Sequence, residues 1–552
     1  MAPLLQFARS QHARLLAPLR RWQARPGFNC AVIILSGAVF IFALQMAWLA
    51  FSNPLEIEVR EGSAWLHVLA KRAGVDIYDT SRVAFVNMNH GPFDPILKTW
   101  ISAAVPSLPG HMVTRAFVLL MPVFFFAAAF IISRRHLAAA LLAGGALYLL
   151  FCNVSTVAFV GRSDATAVCA VIVCGALAHL LLISRHRNWS NRRYIATQIA
   201  LGAASAAVFL TNWRYAPIFL ALQFIVVTTQ LGGSRYHPPE RSLFVRLLVR
   251  LGITIKHLAI STALYLVGFA AVWLAVFLFE LHGDFGSYYR HFFGFFLGTG
   301  GWGTYPGTAF HVLPVELVLN RRAELYFFGA LILWGLVRLR KQPFELVAWL
   351  VMLSAAWLAV AYGYFKNQGG GGLQYFYAFF ALAWIFVLHA FSRRGRWGNL
   401  TQLALVVVVV LVLPVDPLLD QHTLLDETRV HSREFRQEMT RLTFGQTVFS
   451  EETEFFKLRY QGDLVDTGDT DQAIARTGFF GKAFNQTYER YLQQLRANPP
   501  KFVIAGLLEG GGPRILSAPL QQLLSQRYTL RLTSKNSAFA DPGSQGLYER
   551  ND

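Results

Sequence analysis

Residues 28–51 read FNCAVIILSGAVFIFALQMAWLAF, without one charged side chain, after a basic stretch from Arg9 to Arg25 and before the polar run SNPLEIEVREG that starts at Ser52. At 1.5 Å per residue this run reaches about 36 Å as a helix, enough to cross the hydrocarbon core of a bilayer. A secretory signal shares the basic start, but its apolar part is shorter and a small-residue cleavage site follows it. Neither feature is present, so the segment predicts a retained signal anchor. Apolar runs of the same kind recur to about Pro414 and then stop. Placed from the basic clusters between them, the predicted spans are 28–51, 113–132, 137–152, 165–183, 194–210, 215–231, 257–280, 323–337, 343–363, 374–391 and 399–414. The fold class is therefore an α-helical polytopic membrane protein with about eleven transmembrane helices.

Composition points the same way. Apolar residues make up 54% of the 552, with 46 Phe and 13 Trp, more than a soluble core buries. The net charge of +19 raises the question of nucleic acid. Its cations, however, lie in short clusters: Arg134 and Arg135, Arg185 to Arg193, Arg235 to Lys256, Arg338 to Lys341, and Arg393 to Arg396. Every alternate loop carries one, which is the pattern of cytoplasmic loops and excludes nucleic acid as the partner. Residues 1–27 are then a basic cytoplasmic N-terminus, and an odd number of spans puts the C-terminus on the opposite, periplasmic face. Cys30, Cys152, Cys169 and Cys174 all lie in or beside apolar runs, so no disulfide framework is expected.

Beyond Pro414 the chain reads as a small periplasmic α/β domain, residues 415–552. Helical patterns at Glu434 to Leu442, Tyr488 to Leu495 and Leu520 to Ser525 alternate with strand-like runs at Thr447 to Ser450, Phe502 to Ala505 and Tyr528 to Thr533. Within the membrane domain, 28–414, the outer segments 53–112 and 281–322 are long and carry aromatic, amphipathic runs suited to the membrane interface. Neither an inverted repeat nor a charge in mid-span is evident. That disfavours the alternative reading, a membrane transporter or lipid-linked-sugar flippase.

Polar groups gather at four places on the predicted outer face. The first is 61–80, EGSAWLHVLAKRAGVDIYDT, with 85–95, FVNMNHGPFDP. A carboxylate soon after the first span, half-desolvated by Trp65 and Leu66, suits a general base that accepts a proton from an acceptor hydroxyl. Glu61 leads and Asp76, Asp79 and Asp94 follow; a solvated loop carboxylate is the bland alternative for each. The second is 161–167, GRSDATA, where Asp164 either caps the next helix or faces Glu61 as a second carboxylate. Arg162 beside it is free for an anion or closes a structural pair with Asp164. The third is 211–217, TNWRYAP, in which Arg214 between two apolar spans suits a phosphate, its guanidinium fork matching the anion. The fourth joins 288–311, YYRHFFGFFLGTGGWGTYPGTAFH, to 365–377, FKNQGGGGLQYFY. Glycine-rich backbone among aromatics approaches a sugar closely, and Arg290, His291 and Lys366 add phosphate contacts or simply anchor the loops. No cluster has metal-ligand spacing, and a divalent cation (Mg or Mn) shared by Glu61 and Asp164 has no support in the sequence.

These stretches resemble the GT-C superfamily of membrane glycosyltransferases, which use polyprenyl-phosphate sugars outside the cytoplasm. The likeness rests on the E61-G of the first outer loop, DIYD from Asp76, NMNHGP from Asn87, GRSDA from Gly161, NWRY from Asn212 and GGLQY from Gly371, together with the tail phrases VFSEE from Val448, DTGD from Asp466 and PKFVI from Pro500. The chain resembles the bacterial aminoarabinose, mannosyl and arabinofuranosyl transferase group, and the likeness spans nearly the whole chain as architecture. The resemblance implies a GT-C-like membrane domain in the bacterial inner membrane. It also implies an undecaprenyl- or other polyprenyl-phosphate sugar donor, a glycan, lipid or protein acceptor, and transfer with inversion. The first-loop carboxylate of the family is usually Asp. Glu61 departs from that, and Asp76 and Asp79 stay open beside it. Trp65, Asn89, His90, Trp213, Trp302, Tyr305, Gln374 and Tyr375 are the implied sugar or acceptor contacts. The WWDYG signature of oligosaccharyltransferases is absent.

Overall fold

The computed structural model describes residues 26–54, 57, 61–72, 74, 91–133, 136–154, 159–184, 191–212, 215, 218, 221–222, 243–286, 322–340, 342–367, 376–392, 415–446, 448–450, 493, 496–507, 513–514, 522, 525–533 and 545–551. The first apolar run forms α1 (Pro26–Phe51). Its intrahelical hydrogen bonds satisfy the backbone where no water is present to do so. The predicted first outer segment then folds into two short helices, α2 (Glu61–Arg72) and α3 (Phe93–Ala104), ahead of α4 (Gly110–Thr114). The next run is α5 (Ala116–Ile132), separated from α4 by Arg115 alone, whose φ of −95° and ψ of 12° kink the chain.

There follow α6 (Leu137–Val154), α7 (Ser163–Ser184), α8 (Asn191–Thr211) and α9 (Leu243–Ala275), the last extended by a π-turn over Val276–Glu280. Then come α10 (Arg322–Leu339), α11 (Pro343–Asn367) and α12 (Phe376–Ser392). Each falls on a predicted span, and five of these segments are long and apolar enough to cross a membrane. The predicted spans at 215–231 and 399–414 lie largely or wholly outside the described residues. The bundle packs around one apolar cluster that includes Met46, Phe125, Tyr148, Trp349 and Trp384.

Helices α8 and α9 meet backbone to backbone. A Cβ added at Gly202 would lie 1.9 Å from the carbonyl oxygen of Tyr265, and one at Gly268 would lie 2.0 Å from that of Ile199. Small residues at a crossing allow this approach where water-driven burial is unavailable.

Past the bundle, α13 (Val415–Leu442) runs for 28 residues, about 42 Å. The predicted boundary at 414 needs moving. Leu418 and Leu425 belong to the bundle's apolar cluster, and His422 stacks on Phe42 of α1 with ring centroids 5.8 Å apart. Further along, Phe435 and Met439 of the same helix pack on a five-stranded sheet through Val448, Phe502, Ile504 and Leu547. One helix thus serves two cores.

The strands are β1 (Val448–Ser450), β2 (Phe502–Leu507), β3 (Pro513–Arg514), β4 (Tyr528–Thr533) and β5 (Gln545–Arg550). Their order is β1-β2-β5-β4, with β3 paired to the far end of β2; only β1 and β2 run parallel. The strand-like runs of the sequence correspond to β1, β2 and β4, whereas β5, central in the sheet, was not expected. The helical patterns at Tyr488–Leu495 and Leu520–Ser525 lie mostly outside the described residues.

Gly202→Val and Gly268→Val overpack the α8–α9 crossing and should each destabilise the bundle by roughly 1–3 kcal/mol. Gly329→Val, where nothing stands within 4 Å of the added Cβ, is the control and should leave the thermal midpoint in detergent unchanged.

Candidate active site

Glu61 opens α2, where a carboxylate complements the helix dipole. Its surroundings differ from the half-desolvated loop expected for it. The side chain is 0% exposed, and both oxygens are saturated. Oε1 accepts from Arg115 Nε at 2.7 Å and from the Gly161 amide at 2.5 Å. Oε2 accepts from Arg115 Nη2 at 2.5 Å and from the Ile57 amide at 2.7 Å. Four donors occupy the four lone-pair positions of a carboxylate, so this group is built to hold the chain together and has no site left for an incoming proton. That corrects the assignment of Glu61 as base.

Arg115 was missed by sequence reasoning. Its Nη1 donates to the carbonyls of Ala50, at 2.9 Å, and Asn53, at 2.6 Å, so the guanidinium closes the C-terminal end of α1 while its other edge forks onto Glu61. The signal, a lone cation at the start of an apolar span, was in the sequence; its partner 54 residues earlier was not legible.

On the other side of Gly161 stands a second buried ion pair. Lys98 Nζ donates to Asp94 Oδ2 at 2.8 Å and to the Gly161 carbonyl at 2.7 Å, and Thr166 donates its hydroxyl to Asp94 Oδ1. Asp94 and Lys98 sit one turn apart on α3, a spacing that the sequence displayed. Gly161 therefore offers its N–H to one ion pair and its C=O to the other. No larger residue fits there, since a Cβ would lie 2.7–2.8 Å from Thr114. The third carboxylate, Asp164, lies in the first turn of α7 and is buried, with Arg162 Nε 3.5 Å from Oδ2. The Arg162–Asp164 pair is formed within one turn of chain, and it adjoins Gly161 by sequence.

Two further contacts draw in neighbouring segments. The Gly91 amide donates to the Thr211 carbonyl at 2.9 Å, which sets the C-terminal end of α8 beside the start of α3. Lys71 of α2 pairs with Glu280 at the end of the α9 π-turn at 2.5 Å. The ends of α1, α5, α7, α8 and α9 predicted to share one membrane face are thus linked at one end of the bundle.

Trp65 is a packing residue. It is buried with Val68 and Val113, and its ring fills the space that a Cβ on Gly110 would need, which corrects its assignment to sugar contact. Asp76, Asp79, Asn89, His90, Trp213, Arg214, Arg290, His291, Trp302, Tyr305, Gln374 and Tyr375 lie outside the described residues. Lys366 falls on the last turn of α11, and its side chain is likewise outside them. Among the described residues no three His, Cys, Asp or Glu side chains are arranged to hold a metal ion.

No family model and no curated protein matches the chain. Among solved structures it is similar to ArnT from Cupriavidus metallidurans bound to undecaprenyl phosphate, with a TM-score of 0.49 at 12% identity over 95% of this chain and 98% of that one. The apo state of the same ArnT gives 0.45 at 11% identity over 93% and 97%. The apo oligosaccharyltransferase of Archaeoglobus fulgidus gives 0.45 at 12% identity over 87% and 70%. Scores below 0.5 at such identities carry no argument about chemistry.

Arg115→Met leaves Glu61 buried without its cation and should destabilise the protein by about 3–5 kcal/mol. Glu61→Leu should do the same to Arg115. Because each single change strands the other charge, the double variant should lose clearly less than the two losses added, as read from thermal midpoints of the four proteins.

Proposed function

We propose that this protein is an inverting glycosyltransferase that moves a monosaccharide from a polyprenyl-phosphate donor to a hydroxyl of a glycan, lipid or protein acceptor at the periplasmic face of a bacterial inner membrane. The observation that carries the reading is convergence. Segments far apart in sequence, at 61, 94–98, 115 and 161–166, meet at one end of the bundle, with the end of α8 at Thr211 drawn beside α3. A scattered set of surface charges would not have produced buried carboxylates and cations around one glycine. The basic clusters at 185–193, 338–341 and 393–396 adjoin the opposite helix ends, and the positive-inside rule supports the cytoplasm for those ends. Nucleotide sugars would then be on the wrong side, which favours a donor carried by lipid.

In this reading the acceptor oxygen attacks the anomeric carbon as the bond from that carbon to the phosphate oxygen breaks, and the lipid phosphate leaves with the electron pair. The acceptor proton passes to a carboxylate. Asp164 is assigned that role, because Glu61 is saturated by four donors and Asp94 is held by Lys98 and Thr166. Asp76 and Asp79 remain the competing bases. Lys98 has three N–H donors and two acceptors in the structure, so it is assigned with Arg214 to the phosphate; Arg162, Arg290, His291 and Lys366 are the outlying cations. Placed cations stabilise the charge developing on the leaving phosphate, commonly the largest single catalytic contribution.

The deciding experiment incubates purified protein in vesicles with a panel of polyprenyl-phosphate monosaccharides and acceptor hydroxyl compounds, with mass spectrometry of the products. One donor should yield a glycosylated product. Arg214→Ala should then lower turnover roughly 100-fold, and Asp164→Asn should abolish transfer while donor binding persists. Activity retained by Asp164→Asn and lost in Asp76→Asn or Asp79→Asn reassigns the base; absence of product from every donor contradicts the reading.

A further inference from the structure

The carboxylate cluster has a buried polar counterpart at the other end of the bundle. His179 near the end of α7 and His389 near the end of α12 stand with their Nδ1 atoms 2.8 Å apart, and His389 Nε2 is 2.9 Å from Oε2 of Glu345 in the first turn of α11. The apolar runs of the sequence had concealed this group. Exposed charge is harder to reconcile with a bilayer than buried charge, and it occurs on α13.

α13 meets the bundle deep along α1. His422 stacks on Phe42, nine residues before the end of α1 at Phe51, or about 13.5 Å by helical rise. The apolar run 28–51 reaches about 36 Å and a hydrocarbon core about 30 Å, so wherever the core is set on that run Phe42 lies about 7–13 Å inside it. Leu418 and Leu425 both join the bundle's apolar cluster, which holds the stretch between them at this depth. Asp420 and Thr423 in that stretch are exposed, and so is Glu427 two residues beyond it. At 3.6 residues per turn the three fall within about 60° of one another, on the face opposite Leu418 and Leu425. Leu419, 49% exposed, borders this strip. On α1, by contrast, the exposed side chains at the same depth are apolar: Ile41 is 57% exposed and Ile34, two turns away, 69%.

Hydrocarbon accepts Ile34 and Ile41, whereas an exposed carboxylate at membrane depth is costly unless water reaches it. We propose that the strip formed by Asp420, Thr423 and Glu427 lines a water-filled recess, which opens on the side of the tail domain and admits water and small hydrophilic solutes to the depth of Phe42. The bundle would then meet lipid along Ile34 and Ile41 and water beside α13. The direction of opening follows from the helix itself. Beyond Leu425, α13 continues to Phe435 and Met439, which pack on the sheet, and Arg436 lies within electrostatic range of His111 of α4, four residues before the Arg115 that closes the end of α1. The recess therefore opens at the end that carries the carboxylate cluster. It goes beyond the proposed function and holds whether or not a sugar is transferred.

Single cysteines in the full-length protein in sealed vesicles test the recess. The parent is Cys30→Ser, since Cys30 is exposed and Cys152, Cys169 and Cys174 are buried. A charged, membrane-impermeant methanethiosulfonate is applied to one side at a time. Phe444→Cys, at a 77% exposed position just past the end of α13, identifies the tail-domain side. The reagent attacks thiolates, and each unit by which apolar surroundings raise a thiol pKa removes the thiolate tenfold, so Asp420→Cys, Thr423→Cys and Glu427→Cys should be labelled from that side roughly 10-fold or more faster than Ile34→Cys and Ile41→Cys. All five positions are exposed, and each variant should keep the thermal midpoint of the parent. Labelling of Asp420→Cys and Thr423→Cys no faster than that of Ile41→Cys overturns the recess, whether both are slow because lipid or protein covers them or both are fast because α1 itself stands in water there. Labelling of the α13 positions from the opposite side alone overturns the direction of opening.

Discussion

The carboxylate of Glu61 is the constraint on which one end of this molecule depends. Its four donated hydrogen bonds come from three places: two from Arg115 at the kink between α4 and α5, one from the Gly161 amide just before α7, and one from the amide of Ile57 in the loop after α1. Arg115 extends the constraint to the last carbonyls of α1, and Gly161 hands it on to Lys98 and Asp94. Burying such charges is unfavourable unless each is paired and fully hydrogen-bonded, and here the pairing closes around a glycine whose Cβ has no room. The same arrangement that holds α1, α5 and α7 in register therefore fixes where Asp164 and Thr166 stand. The most conspicuous carboxylate of the first loop is thus engaged on both oxygens in holding helix ends together.

The two polar groups of the bundle sit at opposite ends of α7. Between them the interior is mostly Ala, Val, Leu and aromatic side chains, with Cys169 donating to the Phe117 carbonyl and Ser205 to that of Leu201.

The helical spans were legible because apolar runs separated by basic clusters leave few other solutions, and the described helices fall where those runs predicted them. The tail was legible in its alternating strands β2 and β4. It was misread at α13, where charged residues around Leu418 and Leu425 hid a stripe that packs on the bundle, and at β5, whose QGLYER has no two-residue alternation. In the site, Glu61 and the 161–164 segment stood out as polar groups at span ends. Their roles did not, because those depend on partners 54 to 100 residues away: Arg115 for Glu61, and Gly161 for both Glu61 and Lys98. His179 and His389, 210 residues apart, look like ordinary histidines on apolar helices until the fold brings them together. Periodicity reports which face of a helix is buried, and it carries no information about which distant side chain completes a hydrogen bond.

The central claim is that the junction around Gly161 is where a lipid-borne phosphate meets the protein. Cryo-electron microscopy of the chain in nanodiscs with a polyprenyl phosphate tests it most directly. The account predicts phosphate density within hydrogen-bond distance of Lys98 or Arg214, beside Asp164. Density for the phosphate at the opposite end of the bundle, near His179 and Glu345, would contradict it.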